Sequence, residues 1–329
     1  MHLTNAALFA VYGSASASLF SSPNTFDFSF LTKRASAKCP SYWQFISKDL
    51  NTAFLTTDGQ CNAMARAAIR YAFHDAGTYS TKVAFSGPAG GGADGSLLLN
   101  PTEIGRGDNG GLEEYNKFIA GKLASYQKSY GAVGAADLIQ FASSVAVVTC
   151  PGGPKVKTVV GRKDSDAASP AGIMPPGFGP GSDHDSLLQL FLDKGFNAAE
   201  LAALVGAHTC STAFKQSPNI PVDGAQDSTP GKWDVNFYAE TYSPPANVYR
   251  FDSDKNLANK TTTVGKQFSG FVGAQNKWAS AFAAAMYKLS VLGIPAATSK
   301  EFADCTSYLP AGTAVKMIRS APIGDRYHS

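Results

Sequence analysis

Two short stretches place chemically able side chains at helical spacing. In Arg70-Tyr71-Ala72-Phe73-His74-Asp75, an arginine and a histidine stand four residues apart, one turn along the same helix face. An imidazole there can take and return a proton, and a fixed guanidinium beside it can stabilise developing negative charge. In the second stretch, Leu201, Leu204, Val205 and His208 follow the i, i+3, i+4, i+7 stripe of an amphipathic helix. A histidine on an apolar face is more often a satisfied core residue than a ligand. Neutral imidazole in an apolar setting is also, however, the usual axial ligand of haem iron. The chain has five histidines. His2 and His328 lie near the termini and His184 at the start of a polar loop, where solvated side chains are expected. His74 and His208 together therefore carry more weight than either alone.

Helices must hold these side chains. Ala/Leu-rich segments with helical spacing predict helices over about 40–55, 61–75, 112–128, 134–148, 185–193, 198–213 and 266–291. Gly/Pro/Ser-rich loops separate them, notably 86–96, 151–156 and 169–183. Alternating β-branched runs are scarce, so the expected fold is mainly α in one continuous architecture. The loops are longer than packing requires, which points to ligands or ions organising them. With 329 residues, 44% hydrophobic and 16% charged, the chain can bury a sizeable core and lacks the composition of a disordered one. A formal net charge of +3 predicts no nucleic-acid partner, and no apolar stretch approaches the roughly 18 residues that a membrane span needs.

The first residues read as an export leader. Ala6 to Val11 is a short apolar run, Ser14-Ala15-Ser16-Ala17 resembles a signal-peptidase site, and Lys33-Arg34 is a dibasic pair of the kind that processing proteases cut. Residues 1–34 are thus expected to be signal peptide plus propeptide, and 35–329 a secreted, extracellular chain starting at Ala35. Five cysteines, Cys39, Cys61, Cys150, Cys210 and Cys305, suit two bridges and one spare thiol in an oxidising compartment; spacing leaves their connectivity open. Asn259-Lys260-Thr261 is an N-glycosylation sequon, useful only on that route.

Taken in order, the motifs resemble one family. Arg70, Phe73, His74 and Asp75, with Val205-Gly206-Ala207-His208-Thr209, are similar to the secreted fungal (class II) branch of the plant-type haem peroxidases. Gly92-Ala93-Asp94-Gly95-Ser96 resembles its distal calcium loop, and Asn109-Gly110-Gly111-Leu112 its distal asparagine motif, with Glu103 six residues upstream as the partner carboxylate. Asp137 within Ala136–Gln140, Cys150-Pro151-Gly152 and Gly161-Arg162-Lys163-Asp164 also match. So do Asp227-Ser228-Thr229-Pro230-Gly231, Asp234 and Ser253-Asp254. The resemblance runs from about Cys39 to Pro310 and implies two helical halves, about 35–155 and 156–310, sandwiching one haem b, followed by a short tail.

The resemblance also implies roles. His208 would ligate the iron, and Asp254 would accept a hydrogen bond from its other nitrogen, making the ligand more basic. His74 would move a proton between the two peroxide oxygens while Arg70 stabilises the departing hydroxide. Asn109, held by Glu103, would set the His74 tautomer, and Phe73 would wall the pocket. Two Ca²⁺ ions would sit beside the histidines, one on Asp75, the Gly92 carbonyl, Asp94 and Ser96. The other would sit on Thr209, Asp227, Thr229, the Lys232 carbonyl and Asp234. Hard cations want such oxygen-rich sets. By the same analogy Cys61 pairs with Cys150 and Cys39 with Cys305, leaving Cys210 spare.

Departures narrow the substrate. Manganese oxidisers of this branch carry glutamates seven and three residues before the distal arginine and an acid six after the iron ligand. Ala63, Ala67 and Phe214 stand there and cannot hold Mn²⁺. Ala203 occupies the position of the lignin-type surface tryptophan, while Trp43, Trp233 and Trp278 read as core residues. Gln226 replaces the aromatic usual before the proximal calcium aspartate. The expectation is a monomeric, low-potential peroxidase that takes hydrogen peroxide and oxidises phenols or other small aromatic donors. A surface-radical enzyme using one of the 13 tyrosines is the other enzymatic reading. A secreted haem- and calcium-binding interaction protein without useful turnover is the alternative outside enzymes, and it would need none of the distal set.

Overall fold

The computed structural model describes residues 37–213 and 223–313. The expected leader and Phe214 lie outside these residues. The first half runs through α1 (Tyr42–Phe54), α2 (Ala63–Ala76), the single turns α3 (Ser96–Leu99) and α4 (Pro101–Ile104), α5 (Glu113–Tyr130) and α6 (Ala135–Thr149). After the two-residue strand β1 (Val159–Val160) come α7 (His184–Asp193), α8 (Ala198–Val205), α9 (Asn236–Tyr242), α10 (Asp252–Leu257), α11 (Thr263–Ser269), α12 (Gln275–Ser290) and α13 (Ala296–Ser299). Strand β2 (Ala303–Asp304) then pairs antiparallel with β1. The architecture is mainly α, as the periodicity implies.

Helix α6 is apolar nearly all round and wholly buried, which makes it the axis of the first half, with α1 and α2 against it. Its Ala135 and Ala136 N–H groups donate to the Asp164 carboxylate at 2.8 and 2.9 Å, a cap supplied from another segment. Asp137 in its first turn accepts from Arg162 at 2.8 Å in a buried ion pair that ties α6 to the end of β1. Helix α2 starts at Asn62, whose side chain accepts from Ala65 N–H. It turns Ala65, Ala68, Ile69 and Ala72 inward, and the three alanines let it lie close to α6.

Helix α8 begins with a capping box: Asn197 accepts from Ala199 and Glu200 N–H, and the Glu200 carboxylate accepts from Asn197 N–H. It stops at Val205, and Gly206–Cys210 continue as a 3-10 turn rather than the α-helix expected to 213. A Cβ at Gly206 would come within 2.3 Å of the Tyr238 hydroxyl and 2.4 Å of Trp278 Nε1, so only glycine lets this turn sit on α9 and α12. The expected helix over 266–291 is two helices. Gly270 ends α11 with bonds back to Lys266 and Gln267, and Gly273, at φ +67°, turns the chain before α12. His184 is not in a loop: it opens α7 behind the Asp183 cap, its side chain is largely buried, and Nδ1 meets Asp185 at 2.7 Å.

Disulfides join Cys39 to Cys305 and Cys61 to Cys150, and Cys210 is a buried free thiol. Trp43, Trp233 and Trp278 are buried, the last two stacked at 5.3 Å. No single helix among the described residues is long and apolar enough to cross a membrane.

Candidate active site

The last turns of α2 carry Arg70, Phe73, His74 and Asp75. His74 is buried and its Nδ1 lies 2.8 Å from Asn109 Oδ1. The Asn109 amide nitrogen donates to the Glu103 backbone carbonyl at 2.7 Å, so Oδ1 is free to accept and His74 is protonated on Nδ1. The lone pair therefore sits on Nε2, where Arg70 Nε–H donates at 3.2 Å. Arg70 is held from its far end by the carbonyls of Gly110 at 2.9 Å and Asp108 at 3.2 Å. Burial, then the neighbouring Arg70 cation, pushes the His74 imidazole down to about 3, against the raising effect of Asn109. Burial also lowers the Arg70 guanidinium to about 10, which leaves it a cation at neutral pH. The pair is thus a neutral base beside a fixed positive charge. Phe73 meets the His74 ring edge-on at 5.8 Å and stacks on Phe191 of α7 at 6.2 Å.

One expectation is corrected. The carboxylate of Glu103 does not hold Asn109; its Oε2 accepts from Ser169 N–H at 2.9 Å. A buried carboxylate is drawn to an unpaired backbone donor, and the Glu103 carbonyl, which also accepts from Arg106 N–H at 3.1 Å, has a second lone pair for the amide. Glu103 thereby anchors the 169–183 loop instead. That loop is tied down along its length, at Ile173 O by Lys194 Nζ (2.7 Å), at Gly177 O by Ser253 N–H (3.0 Å) and at Ser182 O by Asn256 Nδ2 (2.8 Å). It links the neighbourhood of α2 to α10.

The 3-10 turn after α8 presents His208. Its Nδ1 faces Asp254 Oδ1 at 3.0 Å, and Asp254, on α10, is fully buried. A carboxylate can only accept, so Nδ1 carries the proton and Nε2 the lone pair. Phe237 and Phe251 flank the ring edge-on, each at 5.7 Å. The side chain nevertheless keeps 31% of its exposure. An apolar-walled imidazole with one nitrogen pinned and the other lone pair open suits an axial ligand of haem iron.

Two oxygen-rich clusters flank these histidines. In the first, Asp75, Asp94 and Ser96 are buried; Asp75 accepts from Gly95 and Leu97 N–H, and the Gly92 carbonyl accepts from Asp94 N–H at 2.8 Å. Asp94 Oδ2 is buried with no partner. Burial, then Asp94 and Glu103, raises the Asp75 carboxyl well above its usual range, and burial lifts Asp94 to about 6. In the second, Thr209 Oγ1 meets Asp227 Oδ2 at 2.5 Å, and Thr229 Oγ1 donates to Asp234 Oδ2 at 2.8 Å. Burial lifts Asp227 to about 7, with Asp234 and Glu240 adding to the rise. The Lys232 carbonyl joins this cluster's loop and accepts from the Cys210 thiol at 2.7 Å, a contact that spacing did not signal. Crowded buried carboxylates and an orphaned carboxylate oxygen fit divalent hard cations.

Gln226 was legible in the sequence only as a departure. In the fold it donates through Nε2 to Asp254 Oδ2 at 3.0 Å. Ala63 is exposed and Ala67 partly so, and neither side chain carries an oxygen for a metal. Ala203 is buried and its carbonyl accepts from Trp278.

A family model described as "Peroxidase" matches residues 46–268. Manganese peroxidase 3 of Phlebia radiata is 32% identical over 306 residues, which cover 84% of this chain and 82% of that protein. A low-redox potential peroxidase of Taiwanofungus camphoratus is 33% identical, over 82% of this chain and 77% of that protein. A peroxidase of Arthromyces ramosus is 30% identical, over 83% and 76%.

Proposed function

The chain belongs to the peroxidase family as a hydrogen-peroxide-dependent oxidoreductase of the fungal class II kind, and on that premise we propose that it oxidises phenols and other small aromatic donors by one-electron steps, without a manganese site. The observation that carries this reading is the His74 constellation: a buried, neutral imidazole with Nδ1 occupied by Asn109 and Nε2 facing the Arg70 guanidinium.

The family implies haem and calcium, and the donor sets fit both. His208, backed by Asp254, would hold the haem iron. Asp75, Gly92, Asp94 and Ser96 would hold one Ca²⁺, and Thr209, Asp227, Thr229, Lys232 and Asp234 the other. Haem held there would supply the electrons that peroxide takes up, to be replaced singly by the reducing donor. The chain's own part is proton handling and charge. His74 Nε2 accepts the proton of one peroxide oxygen, in place of its bond to Arg70, and returns it to the other oxygen as water leaves. Arg70, kept in reach by the Gly110 and Asp108 carbonyls, stabilises the negative charge that builds on the leaving oxygen. Asn109 keeps the tautomer correct, and Phe73 on Phe191 keeps solvent and nucleophiles off the reacting atoms. Each cation set includes the residue after a site histidine, Asp75 after His74 and Thr209 after His208, so calcium would brace both.

Ala63 and Ala67 support the absence of manganese oxidation, and buried Ala203 supports the absence of a surface tryptophan relay at that position. Residues 1–34 as a cleaved leader, 35–329 as one secreted haem domain and glycan on Asn259 complete the proposal. Asn259 is exposed, with Oδ1 accepting from Thr261. The test is stopped-flow and steady-state kinetics on the haem- and calcium-loaded protein. Phenol oxidation that Mn²⁺ cannot replace, and that collapses in His74→Ala while haem stays bound, is the expected result. Turnover that persists in His74→Ala would overturn the assignment of the base.

A further inference from the structure

The Asp254 carboxylate is shared. One oxygen accepts from His208 Nδ1 at 3.0 Å, and the other accepts from Gln226 Nε2 at 3.0 Å and from Phe251 N–H at 3.4 Å. Gln226 is 1% exposed, and its Nε2 also lies 3.4 Å from His208 Nδ1. The backbone leaves this side chain little freedom. Gln226 N–H donates to Ser211 O at 3.2 Å, and Thr212 bridges Ala225, so the segment before Asp227 pairs antiparallel with the segment after the 3-10 turn. The amide orientation follows from its neighbours: reversing it would aim Oε1 at a carboxylate oxygen, whereas as it stands Oε1 is the atom without a partner. A buried amide that leaves its own oxygen unsatisfied to reach Asp254 is held there at a cost.

We infer that Gln226 is a positioning residue that tunes the iron ligand, weakening the pull of Asp254 on the His208 Nδ1 proton by donating a second hydrogen bond to the same carboxylate. The inference rests on the proposed role of His208 as haem ligand and goes beyond it. A charge-assisted bond to Oδ2 draws negative charge away from Oδ1, so the bond from His208 becomes weaker and the imidazole less anionic. A less anionic imidazole donates less to iron and stabilises the oxidised metal less. Relative to an apolar residue at 226, the glutamine raises the reduction potential and lets the enzyme accept donors that are harder to oxidise.

The experiment uses the full chain loaded with haem and calcium, with Gln226→Leu and Gln226→Met as two apolar side chains of similar size. The Fe(III)/Fe(II) midpoint is read by spectroelectrochemistry, and the iron–histidine stretch of the reduced protein by resonance Raman. Both variants should shift the midpoint negative and the stretch to higher frequency, and neither shift should occur when the same changes are made in Asp254→Asn. Unmoved midpoint and stretch, or equal shifts in the Asp254→Asn background, would overturn the inference. Loss of haem binding in both variants would make Gln226 a packing residue and overturn it too. A parent protein with no iron–histidine stretch would instead remove the haem-ligand reading on which it rests.

Discussion

Arg70 donates through Nε to the one lone pair His74 has free, at 3.2 Å. The base and the charge stabiliser therefore satisfy each other until peroxide enters, and neither is left as an unpaired buried group. The arrangement requires His74 to be neutral, because a protonated Nε2 would point a hydrogen at a guanidinium.

Loss of the base should remove most proton transfer. In His74→Ala the rate constant for reaction with peroxide is expected to fall about 10²- to 10⁴-fold, with the haem absorption band retained. With the imidazole held near 3 in the fold, peroxide reactivity should stay flat from neutral pH down to about 4 and fall only near 3. A fall centred near 6.5 would mean that His74 titrates as a solvated histidine.

The same depressed value predicts an acid effect on stability. Between about 3 and the unfolded histidine value near 6.5, the unfolded chain binds the His74 proton and the folded chain does not. Stability therefore rises with pH across that window and is lost as pH falls through it. His74→Phe should flatten the pH dependence of the melting temperature between 4 and 6.5.

Calcium dependence should follow the crowded carboxylates. Without a cation, Asp94 is raised to about 6 and Asp227 to about 7, each mainly by burial. A cation must displace those protons below these values, so its affinity falls as pH falls. The gain in melting temperature on adding calcium should be large at pH 8, where saturation at 100 times Kd contributes about 2.7 kcal/mol, and small at pH 5. A gain that does not change with pH would contradict this.

Glu103 and Asn109 should separate. Asn109→Ala removes the acceptor that sets the His74 tautomer and is expected to slow peroxide reduction by about 1–3 kcal/mol, or ~5- to 150-fold. Glu103→Gln keeps an acceptor for Ser169 N–H and leaves the backbone carbonyl that Asn109 uses. It should lower the melting temperature at most slightly, with the peroxide rate and its pH profile unchanged. A kinetic loss equal to that of Asn109→Ala would restore the carboxylate as the partner of Asn109.

The buried thiol offers a direct check on packing. Cys210 lies 3.8 Å from the Cys61 sulfur and donates to the Lys232 carbonyl, and burial raises its pKa well above the ordinary value. Thiol reagents should fail to label it in the native protein and label one cysteine per chain on unfolding without reductant. Rapid native labelling would show the pocket to be open.

Much of this was readable before the fold. Helical spacing put Arg70 and His74 on one face because a turn of helix is a local, sequence-set geometry. The apolar stripe ending at His208 and the oxygen-rich loops followed from the same short-range rules. Helix ends were less legible: the break at 270–274 depends on a glycine turn inside an otherwise helical pattern, and the 3-10 turn at Gly206 depends on Tyr238 and Trp278 arriving from distant segments. Local periodicity carries no record of those neighbours.

By itself the sequence determined which side chains are present, their helical phase, the mainly α class and the family. Tertiary structure alone decided who meets whom. Glu103 holds Asn109 with its carbonyl and Ser169 with its carboxylate, Gln226 reaches Asp254, and Cys210 rests on Lys232, each across a fold that closes loops of 6 to 66 residues. Such pairings come from buried donors and acceptors competing for whatever partner packing brings within about 3 Å. That competition is settled in three dimensions.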